Sequence, residues 1–269
     1  MNPQSSSNFR CVLITGASSG LGLEFSRQLA PHVQTLILVA RREKVLEEIA
    51  EELVSAHPDL KVKVLVSDLT DPRARIHLIN ALSEDDLYPD CLINNAGMGD
   101  YGEFRTSDWS KTEQMIRLNI EALTHLSHAL LPGLIAQRGA ILNLSSLAGD
   151  LPIPDFAVYA ATKAYVSSFS EALRLELRSQ GVRVLAVCPG PIKTGFGDTA
   201  RRGSTTKLPV QETFYVPATH VVRDSLQALI NDRPRVYPGL KVAAVAGLIS
   251  LLPLAVVRLV MSQRPRKSE

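Results

Sequence analysis

Cysteine is scarce in this chain: Cys11, Cys91 and Cys188 lie far apart, each in an apolar run, and none has a metal-binding spacing such as CxxC. Three cannot all pair, so a disulfide framework and a structural zinc site are excluded. Buried free thiols in a reducing compartment are expected. An excess of one charge is missing too. The 29 Lys and Arg against 27 Asp and Glu leave a net +2, which excludes the basic footprint of a nucleic-acid-binding protein. There is no internal repeat and no low-complexity linker. The N-terminal "MNPQSSSNFR" lacks a basic patch followed by an apolar run, so no secretory leader is expected.

What is present is a rhythm. With 269 residues, 45% apolar and 21% charged, the chain can bury a large core. "CVLIT" (11–15), "TLILVA" (35–40), "VKVLV" (62–66), "CLINN" (91–95), "AILNLSS" (140–146) and "VRVLAVC" (182–188) read as strands. They are continuously apolar rather than alternating, as strands covered on both faces should be. Helical patterns fill 20–30, 42–56, 72–83, 108–136, 156–180 and 217–231. This alternation predicts a doubly wound parallel sheet in one domain over 1–240, followed by an apolar segment with a basic tail at 241–269. In such sheets ligands bind beyond the carboxyl ends of the strands.

The first strand runs into "TGASSGLG" and a helix, with Gly16, Gly20 and Gly22 spaced G-x3-G-x-G. Glycines let backbone approach a pyrophosphate, and the helix N-terminus supplies free N–H groups and a positive dipole. The second strand ends "LVARRE". An NAD-selective site would put an acid here to hold the ribose hydroxyls, yet Ala40 stands there, followed by Arg41 and Arg42. Guanidinium groups pair with a 2′-phosphate, so NADP(H) is the expected cofactor. Asp68, after the third strand, can accept from an adenine amino group or serve as a turn residue. Asp71–Pro72 looks like a helix start. The fourth strand ends "NNAG", where Gly97 permits close backbone approach.

TGASSGLG, NNAG, Asn119 in "RLNIEA", "NLSSLAG", "YAATK" and "PGPIKT" follow one another in the order found in classical short-chain dehydrogenases/reductases. The chain resembles that family from residue 9 to about 195. The resemblance implies a Rossmann-type sheet of about seven strands with helices on both faces. It implies hydride transfer between NADP(H) and a carbonyl or alcohol carbon, with no metal. Its catalytic set would be Ser146, Tyr159, Lys163 and Asn119, with Asn119 holding a water that relays protons to Lys163. Cofactor contacts would come from Gly16, Ser18, Ser19, Gly20, Leu21 and Gly22, then Arg41, Arg42, Asp68 and Leu69. Asn95, Ala96, Gly97, Lys163, Pro189, Gly190, Ile192 and Thr194 would complete the set. Physically, a tyrosine with a pKa near ~10 parts with its proton reluctantly. Lys163, one turn away, would pull that pKa down, and Ser146 would stabilise the developing oxyanion. Ser145 stays open as a second contact or cofactor-side neighbour.

Around this set Ser146, Leu147, Phe156, Tyr159, Met98 and Phe196 form the expected substrate pocket, mostly apolar. They suit an apolar ketone or aldehyde. A mobile lid is expected over 195–211, and His125 and His128 are expected as ordinary helix-face residues. A cofactor-binding sensor acting through a partner is the alternative reading, and a membrane-docked assembly factor a third.

Many family members finish on a glycine-rich strand that helps to build a tetramer. This chain has "RPRVYPGLK" and then "VAAVAGLISLLPLAVV" instead, so a homodimer is expected. Segment 242–261 can meet a membrane surface, cover the substrate mouth, join a partner subunit or, least readily because of Pro253 and Arg258, span a bilayer. A cytoplasmic location, or the cytoplasmic face of a membrane, follows.

Overall fold

Seven strands pair side by side, all parallel: β1 (Cys11–Thr15), β2 (Thr35–Ala40), β3 (Lys61–Val66), β4 (Cys91–Asn94), β5 (Ala140–Leu144), β6 (Arg183–Val187) and β7 (Arg235–Val236). Their order is β3-β2-β1-β4-β5-β6-β7, in a computed structural model that describes residues 9–192, 195–202 and 214–262. The direction of winding reverses between β1 and β4, which opens a crevice at the carboxyl ends of the strands.

Alternate side chains of the strands feed two cores. Val12, Ile14, Leu36 and Leu38 pack against Phe25 of α1 (Gly20–Leu29), Leu46 of α2 (Glu43–Ala56) and Val222 of α8 (Ala218–Ile230). Leu13, Ile37, Leu92 and Ile141 pack on the other face. There they meet Leu78 of α3 (Pro72–Glu84), Leu126 of α5 (Leu123–Ala136) and Leu177 of α6 (Ala157–Leu177). Strands buried on both faces have no polar side to alternate with, which is why they read as apolar runs. β3 departs from that pattern. It is the sheet edge and only half-buried, with Val66 exposed.

Three other expectations need correction. The helix predicted over 108–136 is interrupted: α4 (Trp109–Ile116) passes through a π-helical turn, Arg117–Ala122, before α5 begins. The widened turn carries Asn119, which is fully buried. The seventh strand lies inside "RPRVYPGLK" and pairs with β6 over two residues only. Part of the predicted lid is helical, as α7 (Phe196–Ala200); its residues 203–211 lie outside the described residues, as does Thr194. Cys91 and Cys188 are buried and Cys11 is half-buried, all three free. Burial pushes the Cys188 thiol up to about 11 and the Cys11 thiol up to about 12, so both are unreactive near neutral pH.

After β7, α9 (Leu240–Leu251) and α10 (Leu254–Ser262) meet at a 115° bend. Pro253 lies at the bend; it has no N–H to carry a helix onward. Among the described residues no single helix is long and apolar enough to cross a membrane.

Candidate active site

The loop after β1 is shaped by its glycines. Gly16 and Gly20 take left-handed φ values of +67° and +58°, and a Cβ on Gly22 would stand 2.2 Å from the Gly16 carbonyl oxygen. No side chain fits there, so the loop lies directly on the first turn of α1. Ser19 is extended at the N-cap and offers its own side chain to no helical N–H, which leaves the helix end open toward the crevice. Asn95 fastens this loop from β4. Its Nδ2 donates to the Thr15 carbonyl at 2.8 Å, while the N–H groups of Asn95 and Ala96 donate to Thr15 Oγ1 at 3.0 Å each. Asn95 thus holds the loop's shape through its side chain.

Where β2 ends, Ala40 is buried and Arg42 turns back over the loop. Its Nη2 donates to the Ser18 carbonyl at 2.9 Å and to Ser18 Oγ at 3.0 Å. Arg41 is exposed beside it. Asp68 is committed to a local turn, accepting from the N–H and Oγ1 of Thr70. Leu69 is buried, and its carbonyl accepts from Arg75. Asp71 caps α3 through the Arg73 N–H at 2.8 Å, as its Asp-Pro sequence led one to expect.

Beyond β4, β5 and β6 the structure brings the predicted catalytic residues together. Ser146, extended, accepts from the Ala148 N–H at 3.1 Å, and its hydroxyl lies close enough to the Tyr159 phenol to favour the phenolate. On α6, Lys163 donates through Nζ to the Leu144 carbonyl at 2.7 Å and lies 5.8 Å from the centre of the Tyr159 ring. Asn119 accepts from the Met98 N–H through Oδ1, and its Nδ2 donates to the Met98 carbonyl and to Thr162 Oγ1. A Cβ on Gly97 would be 3.3 Å from Asn119 Oδ1 and 3.4 Å from Lys163 Nζ, so the three converge at one point.

The electrostatics differ from the expectation. Burial pushes the Tyr159 phenol up to about 12, opposed by the nearby Ser146 hydroxyl, and it pushes the Lys163 ammonium down to about 8. A downward pull of the lysine on the tyrosine is not what this geometry gives, because desolvation dominates both groups.

Ser145, open in the sequence as a second contact or cofactor-side neighbour, takes another part, and several further supporting residues escaped the sequence reading. Ser145 is buried and donates to the Lys163 carbonyl at 2.7 Å while sharing a hydrogen bond with Ser167, so it anchors α6 rather than facing the crevice. Gly149 lets the turn Leu147–Asp150 lie on α6, for a Cβ there would stand 2.7 Å from the Lys163 carbonyl carbon. Below them runs a buried chain in which Asn94 donates to Asn143 and Ser127, and Asn143 to Ser170. The "NN" of β4 was a visible signal for it. The partners, distant in sequence, were not.

The pocket wall is aromatic. Tyr101, Phe156, Tyr159 and Phe196 follow one another with ring centres 4.9, 5.2 and 5.7 Å apart. Phe196 belongs to α7, and its ring also lies against Gly99. This small helix is held by an ion cluster: Arg202 Nε donates to both oxygens of buried Asp100 at 3.0 Å, and Lys111 pairs with the same carboxylate at 3.1 Å. Burial raises the Asp100 pKa, but the two cations outweigh it and hold the carboxyl below its usual range. Leu147 donates its N–H to Pro189 O, and Ile192 bridges to Val216, which fixes the segment after β6. On Gly190, Val242 of α9 packs.

A family model described as short chain dehydrogenase matches residues 10–204. Sulfoacetaldehyde reductase 2 of Chromohalobacter salexigens is 41% identical over 192 residues, 69% of this chain and 73% of that protein. Among solved structures, a short-chain dehydrogenase from Sphingobium yanoikuyae in complex with NADPH superposes with a TM-score of 0.79 at 32% identity, over 97% of this chain and 98% of that one. The bulky-bulky ketone specific alcohol dehydrogenase of Comamonas testosteroni gives 0.76 at 28% identity, over 98% and 97%. Fold and matches define an oxidoreductase that interconverts alcohols and carbonyls with a nicotinamide cofactor. The chain belongs to the short-chain dehydrogenase family.

Proposed function

We propose that the protein is an NADP(H)-dependent reductase of apolar ketones or aldehydes, running in reverse as an alcohol dehydrogenase. The observation that carries this reading is the convergence of the buried Tyr159 phenol, the Ser146 hydroxyl beside it, Lys163 and Asn119 at the carboxyl ends of the strands. The crevice fits the cofactor: the Gly16–Gly22 contact forms a cradle that a Cβ would fill, with the open end of α1 beside it. When bound, NADPH supplies the hydride. Tyr159 gives its proton to the carbonyl oxygen, and Ser146 donates a hydrogen bond that stabilises negative charge on that oxygen. Lys163 and Asn119 hold the route by which the phenol is reprotonated, and Lys163 would also hold the nicotinamide ribose. Pro189, Gly190 and Ile192 would flank a bound nicotinamide.

Preference for NADP(H) is supported by Arg42 lying across Ser18, with Ala40 where an acid would repel a 2′-phosphate. The relative from Sphingobium was solved with NADPH. An apolar substrate is supported by the aromatic wall and by the name of the Comamonas enzyme, a bulky-ketone dehydrogenase. Arg202 and Lys111, on segments that flank this wall, are bound to Asp100, unlike cations set out to receive a sulfonate. Three free thiols suit a reducing compartment, and a cytoplasmic homodimer is part of the proposal.

The test is NADPH consumption over carbonyls graded from small and polar to long and apolar. Turnover should climb with apolar size, and Tyr159→Phe should lose about 10²–10⁴-fold while still binding NADPH. Undiminished turnover in that variant would remove Tyr159 from the proton transfer. NADPH binding without turnover of any carbonyl would favour a sensor instead.

A further inference from the structure

Helix α9 is apolar all the way round: from Leu240 to Leu251 only Lys241 and Ser250 are polar. A helix of that kind is ordinarily buried on every side or set in lipid. Here only Val242 and Ala246 are buried, against the strand-end segments. Leu240, Leu248 and Leu251 face outward at 92%, 61% and 81% exposure, joined by Leu254, Leu259 and Val260 of α10. Eight of the sixteen large apolar side chains exposed among the described residues fall between Leu240 and Val260, so this is one patch and not scatter.

Charge says what covers it. Between Tyr237 and Glu269 the sequence has Lys241, Arg258, Arg264, Arg266 and Lys267, and not one Asp or Glu. Lys241 and Arg258 are exposed within the patch itself. A second copy would bring these cations against their like, whereas an anionic lipid surface meets both the leucines and the cations. The 115° bend and Arg258 exclude a straight span and suit a hairpin lying in the plane of the interface.

We infer that α9 and α10 dock the enzyme on an anionic membrane surface with the substrate mouth turned toward the lipid. Orientation follows from how α9 is anchored. Val242 sits on Gly190, and α9 packs against the Leu147–Asp150 turn that follows Ser146. The docking patch and the reacting groups therefore share one end of the sheet. Resting on the proposed reductase reading, the substrate is an apolar carbonyl already dissolved in the bilayer.

The experiment is co-sedimentation of the full chain with vesicles of phosphatidylcholine, with or without phosphatidylserine, and NADPH turnover of a water-soluble carbonyl measured on the same samples. The phosphatidylserine vesicles should pellet the protein, and added salt should release part of it. Leu251→Asp with Leu259→Asp, and separately Lys241→Glu with Arg258→Glu, should weaken vesicle binding by about tenfold or more with turnover of the soluble carbonyl unchanged. Two independent surface variants guard against one of them misfolding. Wild type left in the supernatant with both vesicle types overturns docking. So does a wild-type dimer that the Leu251→Asp, Leu259→Asp variant converts to monomer without any vesicle binding. Vesicle binding without turnover of any carbonyl would instead overturn the reductase reading and leave docking standing.

Discussion

Tyr159 and Lys163 share one buried environment, and it acts on them in opposite directions, raising the acid and lowering the base. With its phenol pushed up to about 12, Tyr159 keeps its proton across the physiological range, as a proton donor in carbonyl reduction must. Alcohol oxidation needs the phenolate, whose fraction grows tenfold per pH step below that value. Lys163, pushed down to about 8, sheds its charge as pH passes that point. The expected profiles therefore diverge: oxidation climbs with pH, and reduction falls above about 8. Lys163→Arg, which stays charged, should move the break in the reduction limb upward. Steady-state rates in both directions across pH check this, and an oxidation limb that stays flat would contradict the tyrosine's part in it. "YAATK" made the pairing of Tyr159 and Lys163 legible because four-residue spacing is local. The parts played by Ser145, Thr162 and Gly149 could not be read, since each acts through a neighbour that only the folded chain supplies.

Among the elements, α7 depends on contacts that cross the chain. Arg202 reaches Asp100, the Glu103 carbonyl at 2.7 Å and Thr106 Oγ1 at 2.9 Å, so one side chain ties α7 to the loop after β4 and sets Phe196 over Tyr159. Arg202→Met should destabilise the fold by about 1–3 kcal/mol, because Asp100 keeps a buried charge with fewer partners. It should also raise KM for apolar substrates more than it lowers kcat. The double variant Arg202→Met, Asp100→Asn should recover part of that stability. Urea titrations of the two variants decide the point, and equal losses would show that Asp100 is not the partner that matters. The strands and most helices were legible to within a residue or two, since hydrophobic period and Asp-Pro starts are local signals. The π-helical turn was not, because no residue in "RLNIEA" prescribes a wider pitch. Its effect, an Asn119 amide turned onto Met98, is tertiary. β7 escaped for a related reason: two residues between Pro234 and Pro238 carry no period at all.

For the whole molecule, cofactor choice becomes a stability measurement. A ligand that binds only the folded chain adds about 2.7 kcal/mol at a hundred times its Kd. At equal concentration NADPH should raise Tm more than NADH. Arg42→Glu should reverse that order, since it removes the guanidinium clasped to Ser18 and places a carboxylate there. A thermal shift insensitive to Arg42 would separate the arginine from the 2′-phosphate.

The two ends of the sheet differ from its middle in one further respect. β3 presents Lys61 and Lys63 along its rim, the latter paired with Asp85 at 2.6 Å, while β7 ends after two residues between prolines. Charged or abbreviated rims are poor templates for an added strand. Copies of this chain that crowd together are thus guarded against growing into a continuous ribbon, because neither rim of the sheet invites a neighbour's strand.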